Sequence, residues 1–175
     1  MKTDRSTAAG IADFDPFGRT FRDAEGRHLR LSVRRPPADE RETLAALYAS
    51  FGTRGRAQGI PPASETRREE WLTRLLENGT IDVIARDGSR AVGHAILVAP
   101  AERGAHELAV FVGPDDRGVG VGNELLSAVL GAGRAAGLQR VELMVEHSNR
   151  PARRLYERHG FEPTARDSFV LEMAR

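Results

Sequence analysis

Cysteine is absent from the 175-residue chain, and its absence removes several classes of function at once. Disulfide bonds, cysteine-based metal sites and a cysteine nucleophile are all excluded, and a chain without cysteine fits a cytoplasmic protein. Lysine is nearly absent, with Lys2 as the sole example, so arginine carries almost all of the positive charge. The formal net charge of +1 at pH 7 gives no general attraction to nucleic acid, so we expect no nucleic-acid partner.

Long hydrophobic runs are missing too. No apolar stretch approaches the roughly 18 residues that a membrane helix needs, and the N-terminus lacks the apolar core of a signal peptide. We therefore expect no membrane partner and, with cysteine ligands excluded, no bound metal.

Hydrophobic residues make up 40% of the chain, which is enough for a core of ordinary size in one domain. The chain begins with small and polar residues, and Phe14, Phe17 and Phe21 follow them. We predict an N-terminal arm over residues 1–26, partly disordered and packed on the domain by its aromatic residues, and a domain over residues 27–175. The arm could equally serve as a dimer element, which leaves a homodimer open.

Apolar spacing and turn signals predict helices and strands in a mixed order. Asp39 and Glu42 form a capping-box pattern ahead of the first helix. The predicted elements are a hairpin over 19–33, helices over about 39–51 and 64–77, strands over 81–86, 91–98 and 107–112, a helix over 123–136, a strand over 141–145, a helix over 149–159 and further strands from 161. This order is not the steady alternation of a doubly wound parallel fold.

The segment Arg117–Gly122 reads Arg-Gly-Val-Gly-Val-Gly and lies between a predicted strand and a predicted helix. A helix N-terminus offers unpaired N–H groups and a partial positive charge, and glycine lets a ligand approach the backbone. Such a loop favours an anion, most often a phosphate, although an empty strand-to-helix turn explains it equally well. A Rossmann motif fits poorly because Asn123 stands where a third small residue belongs, and the Gly-Lys of a P-loop is absent.

A second motif follows the glycine loop at a fixed distance. Its members are Val145, Asn149, Ala152, Leu155-Tyr156 and Gly160-Phe161. In these two motifs, correctly ordered and spaced, the chain resembles the GNAT superfamily of N-acetyltransferases. The family's acyl-CoA loop has Gln or Arg, two residues, Gly, one residue and Gly or Ala, which the segment from Arg117 to Gly122 matches. The resemblance covers roughly residues 28–174.

The resemblance implies a mixed α+β fold, whose central, mostly antiparallel sheet has one splayed parallel pair and is flanked by helices. It implies acetyl-CoA as cosubstrate, with the pyrophosphate on the glycine loop and the pantetheine arm along the strand before it. The strand over 138–145 would form the other wall of the splay. By resemblance, the cofactor-binding residues are Val110, Phe111, Val112, Arg117, Gly118, Val119, Gly120, Val121, Gly122, Asn123 and Asn149.

Asn149 and Tyr156 are seven residues apart and therefore share a helix face. By resemblance, Tyr156 lies near the thioester sulfur and donates a proton to the leaving thiolate, and a phenol with a pKa near 10 is a plausible acid. Core packing is the alternative for Tyr156. For Asn149, an ordinary N-cap is as good an explanation as contact with the cofactor.

An amine acceptor must lose a proton before it attacks, and Glu107 is the candidate base by resemblance to some family members. A solvated glutamate at a strand end explains Glu107 equally well, and His94 and His106 are weaker alternatives. Because the chain has no cysteine and no serine in a nucleophile elbow, we expect direct attack in a ternary complex. The Val112 N–H is the expected donor to the thioester carbonyl.

The sequence gives less information about the acceptor than about the cofactor. In the family, the first two helices and their joining loop cover the acceptor site, and here that loop contains Arg54, Arg56 and Gln58. These side chains could favour an acidic or phosphorylated acceptor, or simply be solvated. The sequence thus predicts an N-acetyltransferase that acts on a primary amine. Two alternatives stay open: a non-catalytic acyl-CoA sensor of the same fold, and a Rossmann-type dinucleotide or S-adenosylmethionine enzyme.

Overall fold

The structure is a computed structural model that describes residues 19–34, 40–52, 60–100, 104–166 and 170–174. Three predictions lie outside these described residues. They are the first part of the predicted arm, residues 1–18 of 1–26, the Asp39 cap, and the loop over 53–59 with Arg54, Arg56 and Gln58.

Eight strands form one sheet. Their bounds are β1 Arg19–Arg22, β2 His28–Arg34, β3 Gly79–Asp87, β4 Arg90–Val98, β5 His106–Val112, β6 Val141–Glu146, β7 Glu162–Arg166 and β8 Val170–Ala174. The strand order is β1-β2-β3-β4-β5-β6-β8-β7, and every neighbouring pair is antiparallel except β5 with β6. The predicted mixed fold with one parallel pair is confirmed. The β1–β2 hairpin belongs to the sheet and spans the predicted boundary at residue 27.

In the described ranges four α-helices pack on the sheet: α1 Arg41–Ala49, α2 Glu65–Asn78, α3 Val121–Ala135 and α4 Arg150–Arg158. Helix α3 begins two residues before the predicted start, inside the glycine motif. Gly120 at its N-cap adopts the left-handed conformation with φ of 102°, which lets the chain turn directly into the helix. Helix α1 has Glu40 at its N-cap, without a hydrogen bond from that side chain to the helix.

The sheet separates two hydrophobic clusters, because side chains alternate between its faces along each strand. On the first face, α3 packs Leu125, Leu126 and Val129 against the strands, and Tyr156 of α4 joins the same cluster. The second face carries α1 and α2. Its cluster contains Leu44, Leu47, Tyr48, Phe51, Leu72, Ile84 and Ala91.

The parallel pair separates almost as soon as it forms. Strands β5 and β6 pair only at His106 with Val141 and at Glu107 with Glu142. Beyond these pairs β5 follows β4, while β6 follows β8. The predicted wall over 138–145 is shorter than expected, since β6 begins at Val141. A gap therefore opens in the sheet along β5, and it leads toward the glycine loop.

Candidate active site

The β5 backbone turns main-chain hydrogen-bonding groups toward this gap. The His106 N–H donates to the Arg140 carbonyl (3.0 Å), next to β6, and the Gly113 N–H donates to the Val92 carbonyl of β4 (2.8 Å). Because successive residues of a strand alternate in direction, the main-chain groups of Val110 and Val112 face the gap. An extended amide chain could pair with them there.

The glycine loop offers a set of N–H donors at the end of the gap. Among the described residues, the N–H groups of Gly118–Gly122 make no backbone hydrogen bond of normal geometry. Gly118 and Gly120 have φ of 80° and 102°, which side-chain-bearing residues rarely adopt, and a Cβ on either would meet nothing within 4 Å. The loop is therefore open on its outer side, with donors and helix dipole suited to an anion.

The other predicted loop residues have more structural roles. The Val121 side chain is buried in the core, so only its backbone faces the loop. A Cβ on Gly122 would lie 3.3 Å from Leu155 and 3.5 Å from Val112, so this glycine lets the start of α3 pack closely against α4 and β5. The Arg117 Nε donates to the Val112 carbonyl (3.2 Å), and its guanidinium lies 5.5 Å from the centre of the Phe51 ring.

Two asparagines hold helix ends. The Asn149 Oδ1 accepts the Ala152 N–H at 3.3 Å, which is an N-cap bond for α4. The Asn123 N–H donates to the Gly120 carbonyl at 3.0 Å, and its side chain hydrogen-bonds to His159 at 3.0 Å. Asn123 thus ties the start of α3 to the end of α4. Contact of either asparagine with a cofactor stays a prediction.

Tyr156 is positioned by α4 with its ring in the first-face cluster. The residue is 8% exposed and packs edge-on against Phe161, with ring centres 5.9 Å apart. Burial raises the pKa of Tyr156 to about 12, so its hydroxyl is protonated at neutral pH. The hydroxyl makes no hydrogen bond to any part of the chain that the structure describes, which leaves its proton available to a ligand.

Glu107 lies on the opposite face of the sheet from Tyr156. It is exposed and stands four residues before Phe111, whose ring packs on Tyr48 and Trp71 in the second face. Strand alternation places Glu107 on that same face. The two predicted catalytic side chains therefore lie on opposite faces of the sheet.

His94 is unsuited to the role of a solvent-accessible base. It is 0% exposed, its Nδ1 hydrogen-bonds to the Tyr48 hydroxyl, and its Nε2 lies 2.6 Å from an Asp82 oxygen. Both ring nitrogens are therefore engaged beneath α1. His106 lies at the start of β5, where burial lowers its pKa below the ordinary value. Its side chain shares the first face with Leu108, away from Glu107.

Sequence reasoning missed the cluster of charges beneath the glycine loop. Asp116 is 1% exposed and accepts hydrogen bonds from Arg27 and Arg90. A pair of aspartates directly before Arg117 was the only local signal. Arg27 is 89 positions away from Asp116, and no spacing rule could connect the two.

Membrane and metal features can be assessed over the same described ranges. No helix within them has the length and apolar character to cross a membrane. They also contain no group of three or more His, Asp or Glu side chains arranged to hold a metal ion.

Sequence comparison places the chain in a family. Residues 44–161 match the model of the acetyltransferase (GNAT) family, which is more than half of the chain. The chain therefore belongs to the acetyltransferase (GNAT) family. The antiparallel sheet and this family membership exclude the Rossmann-type alternative.

Relatives with assigned names are acetyltransferases. The chain is 39% identical over 129 residues to the mycothiol acetyltransferase of Beutenbergia cavernae, covering 73% of this chain and 43% of that enzyme. It is 33% identical over 130 residues to the L-methionine sulfoximine/L-methionine sulfone acetyltransferase of Pseudomonas aeruginosa, covering 71% and 76%. The chain thus spans less than half of the first enzyme and about three quarters of the second.

Solved structures share the fold. The GNAT domain of S. lividans PAT superimposes with a TM-score of 0.73 at 17% identity, covering 91% of this chain and 96% of that domain. The structure of yncA from Salmonella typhimurium, solved with its cofactor acetyl-CoA, gives a TM-score of 0.65 at 20% identity, covering 83% and 92%. At these identities the likeness establishes the fold alone.

Proposed function

We propose that the protein is an N-acetyltransferase that transfers the acetyl group of acetyl-CoA to a primary amine, by direct attack in a ternary complex. One observation supports this function above the others. The open edge of β5 leads into consecutive N–H groups that, within the described residues, make no backbone hydrogen bond of normal geometry.

The residues present fit acetyl-CoA. The N–H groups of Gly118–Gly122 suit a pyrophosphate, and the main chain of Val110 and Val112 suits the amides of a pantetheine arm. The open space above Gly118 and Gly120 admits close approach of the phosphates. The Val112 N–H remains the proposed donor to the thioester carbonyl, where it would stabilise the charge that develops on oxygen.

Tyr156 would act on the leaving sulfur. Complete proton transfer from a phenol of pKa about 12 to a thiolate of pKa about 8.5 is uphill, by roughly 5 kcal/mol. The hydroxyl therefore stabilises the sulfur by donating a hydrogen bond as the carbon–sulfur bond breaks. In a largely dry site such a bond is stronger than in water.

Glu107 would take the proton that the charged amine must lose before its nitrogen attacks the thioester carbon. The second proton leaves the nitrogen to solvent as the carbon–sulfur bond breaks. Glu107 lies three residues from Val110 and five from Val112, roughly 10 to 17 Å along the strand. That separation favours transfer through bridging water over direct contact. The expelled thiolate is then protonated from solvent, which completes the exchange.

Measuring release of coenzyme A from acetyl-CoA over a panel of amines tests the function. The panel contains L-methionine sulfoximine, other α-amino acids, a peptide with a free N-terminus and a lysine-containing peptide. We expect turnover with at least one member, and loss of it when the amine is blocked. Tight binding of acetyl-CoA without turnover on any amine would instead favour the sensor of the same fold.

Replacing Glu107 by glutamine should lower kcat/KM at pH 7 by roughly 10- to 100-fold. An amine with a pKa near 10 is mostly charged at pH 7, so losing the base matters most there. The deficit should shrink as the pH of the assay rises toward 10, since solvent then deprotonates the amine.

The control for this variant is Glu142→Gln. Glu142 pairs with Glu107 in register across β5 and β6, so it carries the same charge at a neighbouring position. An equal loss in both variants would show that local charge matters rather than a base at Glu107.

A further inference from the structure

The glycine loop is attached to the β1–β2 turn, which lies outside the range matched by the family model. The Ala24 N–H donates to the Val119 carbonyl at 2.9 Å, a main-chain bond between the turn and the loop. Arg19 of β1 also forms an ion pair with Glu124 in the first turn of α3. The N-terminal hairpin therefore contacts the loop at one point and the helix that follows the loop at another.

A buried carboxylate provides a third and stronger connection. Asp116 directly precedes Arg117, and its side chain is almost completely buried. Its Oδ1 accepts from Arg27 Nη1 at 2.8 Å and from Arg90 Nη2 at 3.1 Å, and its Oδ2 accepts from Arg90 Nη1 at 2.8 Å. Both oxygens are thus held by charge-assisted bonds, one arginine coming from the hairpin and one from β4.

The turn holds Arg27 firmly in return. Asp23 accepts the Arg27 Nε at 2.7 Å with one oxygen, and its other oxygen accepts the N–H groups of Glu25 (3.0 Å) and Arg27 (2.8 Å). Because the same carboxylate fixes both the turn and the arginine, Arg27 has little freedom to leave Asp116. Nη2 of Arg27 is buried and has no hydrogen-bond partner within the described residues.

The segment that enters the loop is equally constrained. The Gly113 N–H donates to Val92, and the Asp116 N–H donates to the Gly113 carbonyl at 2.9 Å. A Cβ on Gly113 would lie 3.0 Å from the Asp116 carboxylate, so the close approach of this carboxylate requires glycine. Burial alone would raise the pKa of Asp116, but the hydrogen bonds and charges of Arg90 and Arg27 outweigh it and lower this pKa, which keeps the carboxylate charged.

We propose that Arg27 is a positioning residue of the cofactor site, which holds the glycine loop in its N–H-presenting shape through Asp116. Arg27 bonds to Asp23 and Asp116 and touches no reacting atom. Its effect is preorganisation: a loop already held in the binding conformation loses less freedom when an anion binds. This inference rests on the proposed binding of acetyl-CoA at the loop.

The experiment compares Arg27→Ala with Arg22→Ala in the full chain. Both variants lose one positive charge from the same hairpin, but Arg22 bonds to His28 at 2.8 Å and not to Asp116. Arg27→Ala should raise the Kd and the KM for acetyl-CoA by roughly 10- to 100-fold, with kcat at saturation within about threefold of the parent. Arg22→Ala should bind acetyl-CoA as the parent does.

Two further measurements keep the outcomes distinguishable. NMR order parameters of the Gly118–Gly122 amides, without ligand, should fall from a rigid value of about 0.85 toward 0.6 in Arg27→Ala. Asp116→Asn keeps the shape of the side chain and should also lower the order parameters of the loop. It serves as the test variant if Arg27→Ala does not fold. Unchanged loop order in a folded variant, or a loss confined to kcat, overturns the inference. A different outcome is that Arg27→Ala loosens the loop but the parent protein does not bind acetyl-CoA. That outcome overturns the proposed function and leaves the positioning role of Arg27 intact.

Discussion

Gly120→Asp is expected to abolish binding of acetyl-CoA. Gly120 has φ of 102° at the N-cap of α3, among the N–H groups proposed to hold the pyrophosphate. An aspartate there places negative charge at an anion site and competes for the same N–H donors and helix dipole. Isothermal titration with acetyl-CoA should show no binding up to at least about 100 times the parent Kd, which corresponds to a loss of about 2.7 kcal/mol or more.

Two controls separate charge from backbone strain. Gly120→Ala carries the same unfavourable φ without the charge, at a cost in stability of about 1 kcal/mol, and should weaken binding only modestly. Gly137→Asp introduces the same residue at another positive-φ glycine, just past the far end of α3 and roughly 25 Å away. It should bind acetyl-CoA normally. A folded Gly120→Asp protein that still binds acetyl-CoA would show that the loop is not the pyrophosphate site.

Tyr156→Phe should lower kcat by roughly 10- to 1000-fold and leave acetyl-CoA affinity nearly unchanged. The change removes a hydroxyl without a hydrogen bond to any described residue and keeps the ring against Phe161, so stability should change by less than about 0.5 kcal/mol. Since the pKa of Tyr156 is about 12, the parent enzyme should show no loss of rate from its ionisation below about pH 11. Steady-state kinetics across pH, with thermal unfolding, checks each point.

Tyr48→Phe is the matched control, since Tyr48 and Tyr156 are the two tyrosines of the chain. The Tyr48 hydroxyl is buried and hydrogen-bonds to His94, so its removal leaves a buried ring nitrogen unpaired. This variant should lose about 1–3 kcal/mol of stability while kcat at permissive temperature stays near that of the parent. Equal kcat in Tyr156→Phe and the parent would remove the role of Tyr156 at the sulfur.

The local pattern of apolar and turn-forming residues predicted most helices and strands of the fold. The apolar stripe of α3, the alternation along β6 and the turn at Asp87-Gly88 all appear in the structure within about two residues of their predicted positions. The start of α3 was placed two residues late, because glycine was taken to belong to the loop. A glycine with positive φ can instead end the loop and start the helix at once.

The candidate site was only partly predictable. Asn149 and Tyr156 could be placed together because both lie on one short helix, where a spacing of seven determines a shared face. Glu107 and His94 could not be ranked in this way. Their difference is burial: Glu107 is exposed on β5, whereas His94 is covered by α1 and bonded at both nitrogens.

The sequence by itself determined the family and the chemistry offered by the glycine loop, because two motifs with fixed internal spacing carry both. Only the tertiary structure decided where the parallel strands part, that Glu107 and Tyr156 lie on opposite faces of the sheet, and that Arg27 bonds to Asp116 beneath the loop. Each of these depends on segments that are distant along the chain, such as residues 89 positions apart. The periodicity of apolar residues depends on neighbours within one helix or strand, whereas contacts between distant segments form only when the sheet is assembled.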